Sequence, residues 1–126
     1  MVVWGRDGMD EISLGGATMV AELRGGDEIV EYELHPEDFG IEVASSRAFR
    51  VDGPEQSAAM LREALAGTDG LPREIVAFNA GAALYTAGRA VSIADGVSQA
   101  RAAIASGAAT AKLEQFVAAT RRLADG

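Results

Sequence analysis

"PREIVAFNAGAALYTAGRAVSIADGVSQARAAIASG", residues 72–107, holds the two segments on which the fold turns. The first, from Pro72 to about Ala87, places Ile75, Val76, Phe78, Ala82, Ala83 and Leu84 almost all round a helical surface. A helix apolar on most sides is one buried on several sides, so it is expected to be the central helix. The second opens with Ser92 as N-cap and Asp95 three residues on, then sets Ile93, Val97, Ala100 and Ile104 on one face and stops at Gly107. Asn79 interrupts the apolar run of the first helix, so its amide must be satisfied by a nearby backbone or by a substrate; the backbone is the commoner partner.

Working outward, a further helix is expected from about Thr110 to Leu123, with Leu113, Phe116, Val117 and Thr120 inward and Arg121 and Arg122 at the negative end of its dipole. Upstream, Pro54 to Ala66 reads as a helix with proline in its first turn, Ala58, Leu61 and Leu65 on one face, and Gly67 as its stop. Before residue 53 the pattern changes to period two. "TMVAEL" (18–23) and "IVEYEL" (29–34) form a hairpin through "RGGDE", and Val30, Tyr32 and Leu34 alternate with Glu31 and Glu33. "VVW" (2–4) is a third, short strand, whose exposed edge invites pairing with another chain. The fold class is therefore α/β, in one domain: a short strand and a β-hairpin in residues 1–53, and four helices in residues 54–126.

Composition narrows the functional classes. The 126 residues carry a formal net charge of −8, which opposes binding to nucleic acid or an anionic membrane. Cysteine is absent, which removes disulfides, thiolate metal sites and cysteine nucleophiles. No run approaches the length of a membrane helix, and "MVVWGRDG" lacks the basic and apolar regions of a signal peptide, so a cytoplasmic location is expected.

The candidate chemistry lies in "GRDGMDEISLGG", residues 5–16, where Asp10 and Glu11 stand side by side among glycines. Magnesium takes hard oxygen ligands and is usually held by one or two carboxylates plus substrate phosphates, so this pair would suffice. A solvated acidic turn is equally consistent with the residues, and among nineteen acidic side chains it is the commoner case. Glu37 and Asp38, in "HPEDFG", are read as turn-forming, and the "DFG" there stands without the other parts of a kinase. His35, the single histidine, is expected to be exposed or locally bonded, and Arg6 to make a surface ion pair rather than to grip a phosphate. No partner set for a serine nucleophile is present.

Three segments together, "DGMDEISLGGATMVAEL", "YELHPEDFGI" and "REIVAFNAGAALYTAGRAVSIADGVSQARAAIASGAATAKLEQFV", resemble in order and spacing the carboxy-terminal region of the anthranilate phosphoribosyltransferases. These are glycosyltransferases of tryptophan biosynthesis with the nucleoside phosphorylase type of fold. The resemblance implies that Asp10 and Glu11 bind the magnesium ions accompanying phosphoribosyl pyrophosphate, and that the reaction passes the phosphoribosyl group to anthranilate and releases pyrophosphate. It also implies that the first strand lies within a larger parallel sheet. The family's helical domain, which builds the homodimer, and its Gly-Thr-Gly-Gly-Asp loop and substrate-binding positions belong upstream and do not occur here. Trp4 stands where many relatives carry histidine, and Ala17 where proline is common. The expectation is a carboxy-terminal piece of the catalytic α/β domain, inactive alone and without catalytic residues of its own. The alternative is a stand-alone module that binds or scaffolds; a pyrimidine nucleoside phosphorylase fits the acidic turn and the "NAGAALYTAG" segment less well.

Overall fold

The computed structural model describes residues 1–124. Three strands, β1 (Val2–Gly5), β2 (Thr18–Arg24) and β3 (Glu28–Leu34), form one sheet in the order β1-β2-β3. Both pairings are antiparallel, with Gly5 opposite Thr18 and Thr18 opposite Leu34. The hairpin is as expected. The parallel neighbours expected for the first strand are not among the described residues; there β1 pairs antiparallel with β2, because the loop at 6–17 folds the chain back on itself and lays β2 alongside it.

Two 3-10 turns, Pro36–Phe39 and Ser46–Phe49, lead from the sheet into four helices: α1 (Pro54–Leu65), α2 (Leu71–Thr86), α3 (Ile93–Ala105) and α4 (Ala108–Ala124). Glu37 and Asp38 lie in the first of these turns, in keeping with their turn-forming reading. Gly67 and Gly107 follow α1 and α3 with φ of 80° and 78°, the left-handed conformation that ends a helix at little cost only with glycine. Ser92 caps α3 as its sequence predicts: its hydroxyl accepts the Asp95 amide at 3.1 Å, while the Asp95 carboxylate accepts the Val91 amide at 3.0 Å.

α2 is central. Its Ile75, Phe78 and Ala82 pack with Val20 and Leu34 of the sheet, Ile12, Leu14 and Ile41 of the loops, and Ile93 and Val97 of α3. The Phe78 ring meets Phe39 at 4.7 Å between centroids. On its other side Ala77 joins Leu65, Ala100 and Ile104 in a second cluster. α2 and α3 cross at glycines: a Cβ on Gly96 would collide with the main chain of Gly81, and one on Gly81 would lie 2.6 Å from Val97 Cγ2. Small residues at the crossing let the two backbones touch.

Three expectations about faces are corrected. α4 buries none of its residues: Ala109 and Leu113 pack on the second cluster and Thr110 Oγ1 bonds the Leu65 carbonyl at 2.9 Å, but Phe116, Val117 and Thr120 are exposed. The stripe has the right period, yet the helix runs past the body that would cover it. Leu61 is exposed because α1 meets α2 through Ala64 and Leu65 instead. Ala83 is exposed because it borders open hollows, one shared with Val3 of β1 and one with Ala109 of α4, whose walls flank it without closing over it.

Candidate metal-binding turn and its supports

The loop between β1 and β2 carries the acidic pair, and its geometry follows from how its backbone is satisfied. Residues 12–14 are almost completely buried, at 1%, 1% and 0% exposure, so their main-chain polar groups need partners outside any strand ladder. The Ser13 amide donates to Thr18 Oγ1 at 3.0 Å, and the Leu14 carbonyl accepts the Ala44 amide at 2.8 Å. Ile12 is held at both ends by Asn79: its amide donates to Asn79 Oδ1 at 2.9 Å and its carbonyl accepts from Nδ2 at 2.9 Å. Nδ2 also donates to the Ile75 carbonyl at 3.0 Å. Both amide protons of Asn79 are thereby engaged, which assigns it the backbone partner expected from its place in an apolar run.

On the upstream side Asp7 organises the turn. Its Oδ1 accepts the Met9 amide at 3.3 Å and its Oδ2 accepts the Ser13 hydroxyl at 2.8 Å, while Ser13 Oγ in turn accepts the Gly15 amide at 2.8 Å. A Cβ on Gly15 would collide with the Asp7 carboxylate, so glycine at 15 is what lets Asp7 reach Ser13. Asp7 and Ser13 escaped the sequence reading. The signal that would have found Asp7 is its position before Gly8, where an aspartate bonding the amide two residues on makes an Asx turn.

Asp10 and Glu11 stand exposed at the tip of this loop, and among the described residues no hydrogen bond or ion pair reaches either carboxylate. Glu11 borders a cavity of about 180 Å³ walled by Phe49, Met60, Leu61, Pro72 and Val76. Lost hydration against that apolar wall pushes the Glu11 carboxyl above its ordinary range, and the charge of Asp10 pushes it further. Two adjacent carboxylates without partners are a donor set able to hold a divalent cation. Among the described residues no group of three or more histidine, cysteine or acidic side chains converges on one point. The acidic pair therefore offers at most two protein side chains to any one cation.

The other candidates behave as surface or structural groups. Arg6 turns away from the acidic pair and pairs with Glu33 on β3, with 59% of its side chain exposed. His35 Nε2 lies 3.3 Å from the other oxygen of Glu33. A network not foreseen from the sequence sits at the far end of the hairpin, where Glu22 points inward from β2. Its carboxylate accepts from Arg24 at 2.9 Å, Tyr32 at 2.9 Å and Tyr85 at 2.8 Å, joining the sheet to α2. The Arg24 bond holds Glu22 below its ordinary range against the opposing effect of burial, helped by the tyrosines, while burial and Glu22 push Tyr32 up to about 12. No helix among the described residues is long and apolar enough to cross a membrane.

The described residues thus form an α/β unit with an acidic turn between its first two strands. The chain belongs to the glycosyl transferase family, a/b domain, whose model matches residues 1–110. It is 61% identical over 126 residues to the anthranilate phosphoribosyltransferase of Paracidovorax citrulli (strain AAC00-1), covering 100% of this chain and 36% of that protein. With the enzyme of the same name from Stenotrophomonas maltophilia (strain R551-3) it shares 63% over 123 residues, 98% of this chain and 36% of that one. Among solved structures, anthranilate phosphoribosyltransferase from Thermus thermophilus superposes with a TM-score of 0.81 at 41% identity, over 93% of this chain and 34% of that one. A variant of the Saccharomyces cerevisiae enzyme with Mg bound gives 0.75 at 30% identity, over 90% of this chain and 33% of that one. The chain thus spans about 36% of the length of the curated relatives it matches.

Proposed function

We propose that this chain is the carboxy-terminal part of the catalytic α/β domain of an anthranilate phosphoribosyltransferase, and that Asp10 and Glu11 are its share of the magnesium site. The observation that carries the reading is the pair of carboxylates without partners, held at the tip of a tightly bonded loop, in a chain whose relatives bear that name. The reaction moves phosphoribosyl from its pyrophosphate to the amine of anthranilate, in the pathway to tryptophan. When bound there, magnesium supplies positive charge beside a leaving pyrophosphate that is itself strongly negative. Asp10 and Glu11 would hold it, and Asp7 and Ser13 keep the loop in shape. The groups that contact anthranilate and the pyrophosphate, and the helical domain through which such an enzyme forms a homodimer, belong to the remainder of the protein. By this reading the chain alone is inactive, binds divalent cations more weakly than micromolar, and works in the cytoplasm.

A chimera tests this. Residues 1–126 replace the matching region of the Paracidovorax citrulli enzyme, and anthranilate consumption is followed with phosphoribosyl pyrophosphate and magnesium. The chimera is expected to turn over, and Asp10→Asn with Glu11→Gln to reduce the rate by roughly 10²–10³-fold, the scale of losing one electrostatic stabiliser of the transition state. A chimera as active with both substitutions as without them refutes the assignment.

A further inference from the structure

Asn79 is attached to the acidic turn in a way that packing alone does not require. A carboxamide that takes both the amide and the carbonyl of one residue does the work of a neighbouring strand, and asparagine and glutamine offer that donor and acceptor side by side without taking up a proton. The residue it takes is Ile12, next in the chain to Glu11 and 1% exposed. Upstream, Met9 is fixed in the same two-ended fashion: its amide donates to Asp7 Oδ1 and its carbonyl accepts the Gly5 amide at 2.9 Å. Between these two anchored residues lie Asp10 and Glu11 alone, and no hydrogen bond among the described residues reaches their own main-chain groups. The directions in which both carboxylates leave the backbone are therefore set by the anchor on either side.

We propose that Asn79 is the positioning residue of the Asp10–Glu11 pair, holding the downstream anchor so that both carboxylates face one cation. This rests on the reading of that pair as a metal site. Asn79 itself has no donor left for a ligand, since one Nδ2 proton goes to Ile12 and the other to Ile75, so it acts through the turn and not on the metal. α2 supplies the rigidity: Phe78 beside Asn79 is 0% exposed, and Gly81 two residues on is locked against α3. Removing a group that orients metal ligands typically weakens metal affinity by about 10–100-fold.

The test uses the full 126-residue chain, with Mn²⁺ as a paramagnetic probe of the magnesium site and its amide resonances as the readout. In the wild type, Mn²⁺ at up to millimolar concentration is expected to broaden Asp10 and Glu11 first. In Asn79→Leu the Mn²⁺ concentration needed for the same broadening rises at least roughly tenfold, while Ile104→Val, which loosens the second cluster far from the turn, shifts it less than about twofold. A metal-free readout accompanies it. In Asn79→Leu the Ile12 amide exchanges with solvent faster relative to that of Ala77. In Asn79→Asp, which keeps the acceptor for the Ile12 amide and loses the donor for its carbonyl, Ile12 protection recovers as acid protonates the new carboxyl. Wild-type broadening that Asn79→Leu leaves as Ile104→Val leaves it overturns the role of Asn79 and spares the metal site. No broadening of Asp10 and Glu11 in the wild type overturns the metal site, and the positioning role with it.

Discussion

Gly96→Ala sets two effects of opposite sign against each other. Alanine is a better helix former than glycine by up to about 1 kcal/mol, so in a helix with room beside it the change stabilises. Gly96 has no such room. A Cβ there would lie 2.9 Å from the carbonyl carbon and 3.0 Å from Cα of Gly81, and would strike the carbonyl oxygen as well. These are main-chain atoms in the middle of α2, so no side-chain rotation relieves the overlap and the helices must separate. Forcing extra volume into a packed core costs typically about 1–3 kcal/mol, and a collision with backbone belongs at the upper end, so the net loss is about 2 kcal/mol. For a chain of this size that corresponds to a fall in Tm of roughly 8 °C. Separation of α2 from α3 also moves Asn79, two residues before Gly81, so Ile12 amide exchange should quicken. Thermal and urea unfolding followed by circular dichroism measure the loss, with Ala102→Gly on the exposed face of α3 as the control for propensity. A Gly96→Ala chain more stable than the wild type refutes the tight crossing, because propensity would then have won.

Two further predictions address the corrected and unforeseen features. Phe116→Ser should change the urea midpoint by no more than about 0.5 kcal/mol equivalent, because the ring is 64% exposed; a loss of about 3 kcal/mol or more would mean that it is buried after all. Glu22 is held below its ordinary value of 4.5 by Arg24 and the two tyrosines, so its stabilisation is present above that pH and disappears as pH falls through the depressed folded value. Wild type should therefore exceed Glu22→Gln in stability by a constant margin at neutral pH, and the margin should shrink as pH falls below 4.5. A margin that is flat or widens on acidification would remove the carboxylate from the role of clamp.

Much of this molecule is legible in its sequence because the interactions that form it are local. The Ser92–Asp95 cap, the glycine stops after α1 and α3, and the alternation of Val30, Tyr32 and Leu34 are properties of a few neighbouring residues, and each appears in the structure as read. Periodicity also identified α2 as the central helix, since a surface apolar nearly all round has to be covered. The candidate site was legible in part: adjacent carboxylates among glycines define a donor set for a hard cation, but adjacency is equally the mark of a solvated turn.

What remained hidden depends on which element lies opposite. α4 carries a stripe of correct period, and a stripe reports that a face is apolar, not that anything covers it; only the placement of the helix leaves Phe116 and Val117 in solvent. Glu22 looks like any acidic residue of a strand until β2 turns it inward between Tyr32 and Tyr85, the latter 63 positions away. Asn79 announced an unsatisfied amide, and its sequence could name the need but not the partner. That partner, Ile12, is 67 residues distant and meets it because α2 crosses beneath the loop. The sequence by itself determined the helices, the hairpin and the presence of two carboxylates, through short-range backbone and period effects. The tertiary structure alone decided which backbone Asn79 grips and what stands beside Glu11, because those contacts exist only once distant segments have packed together.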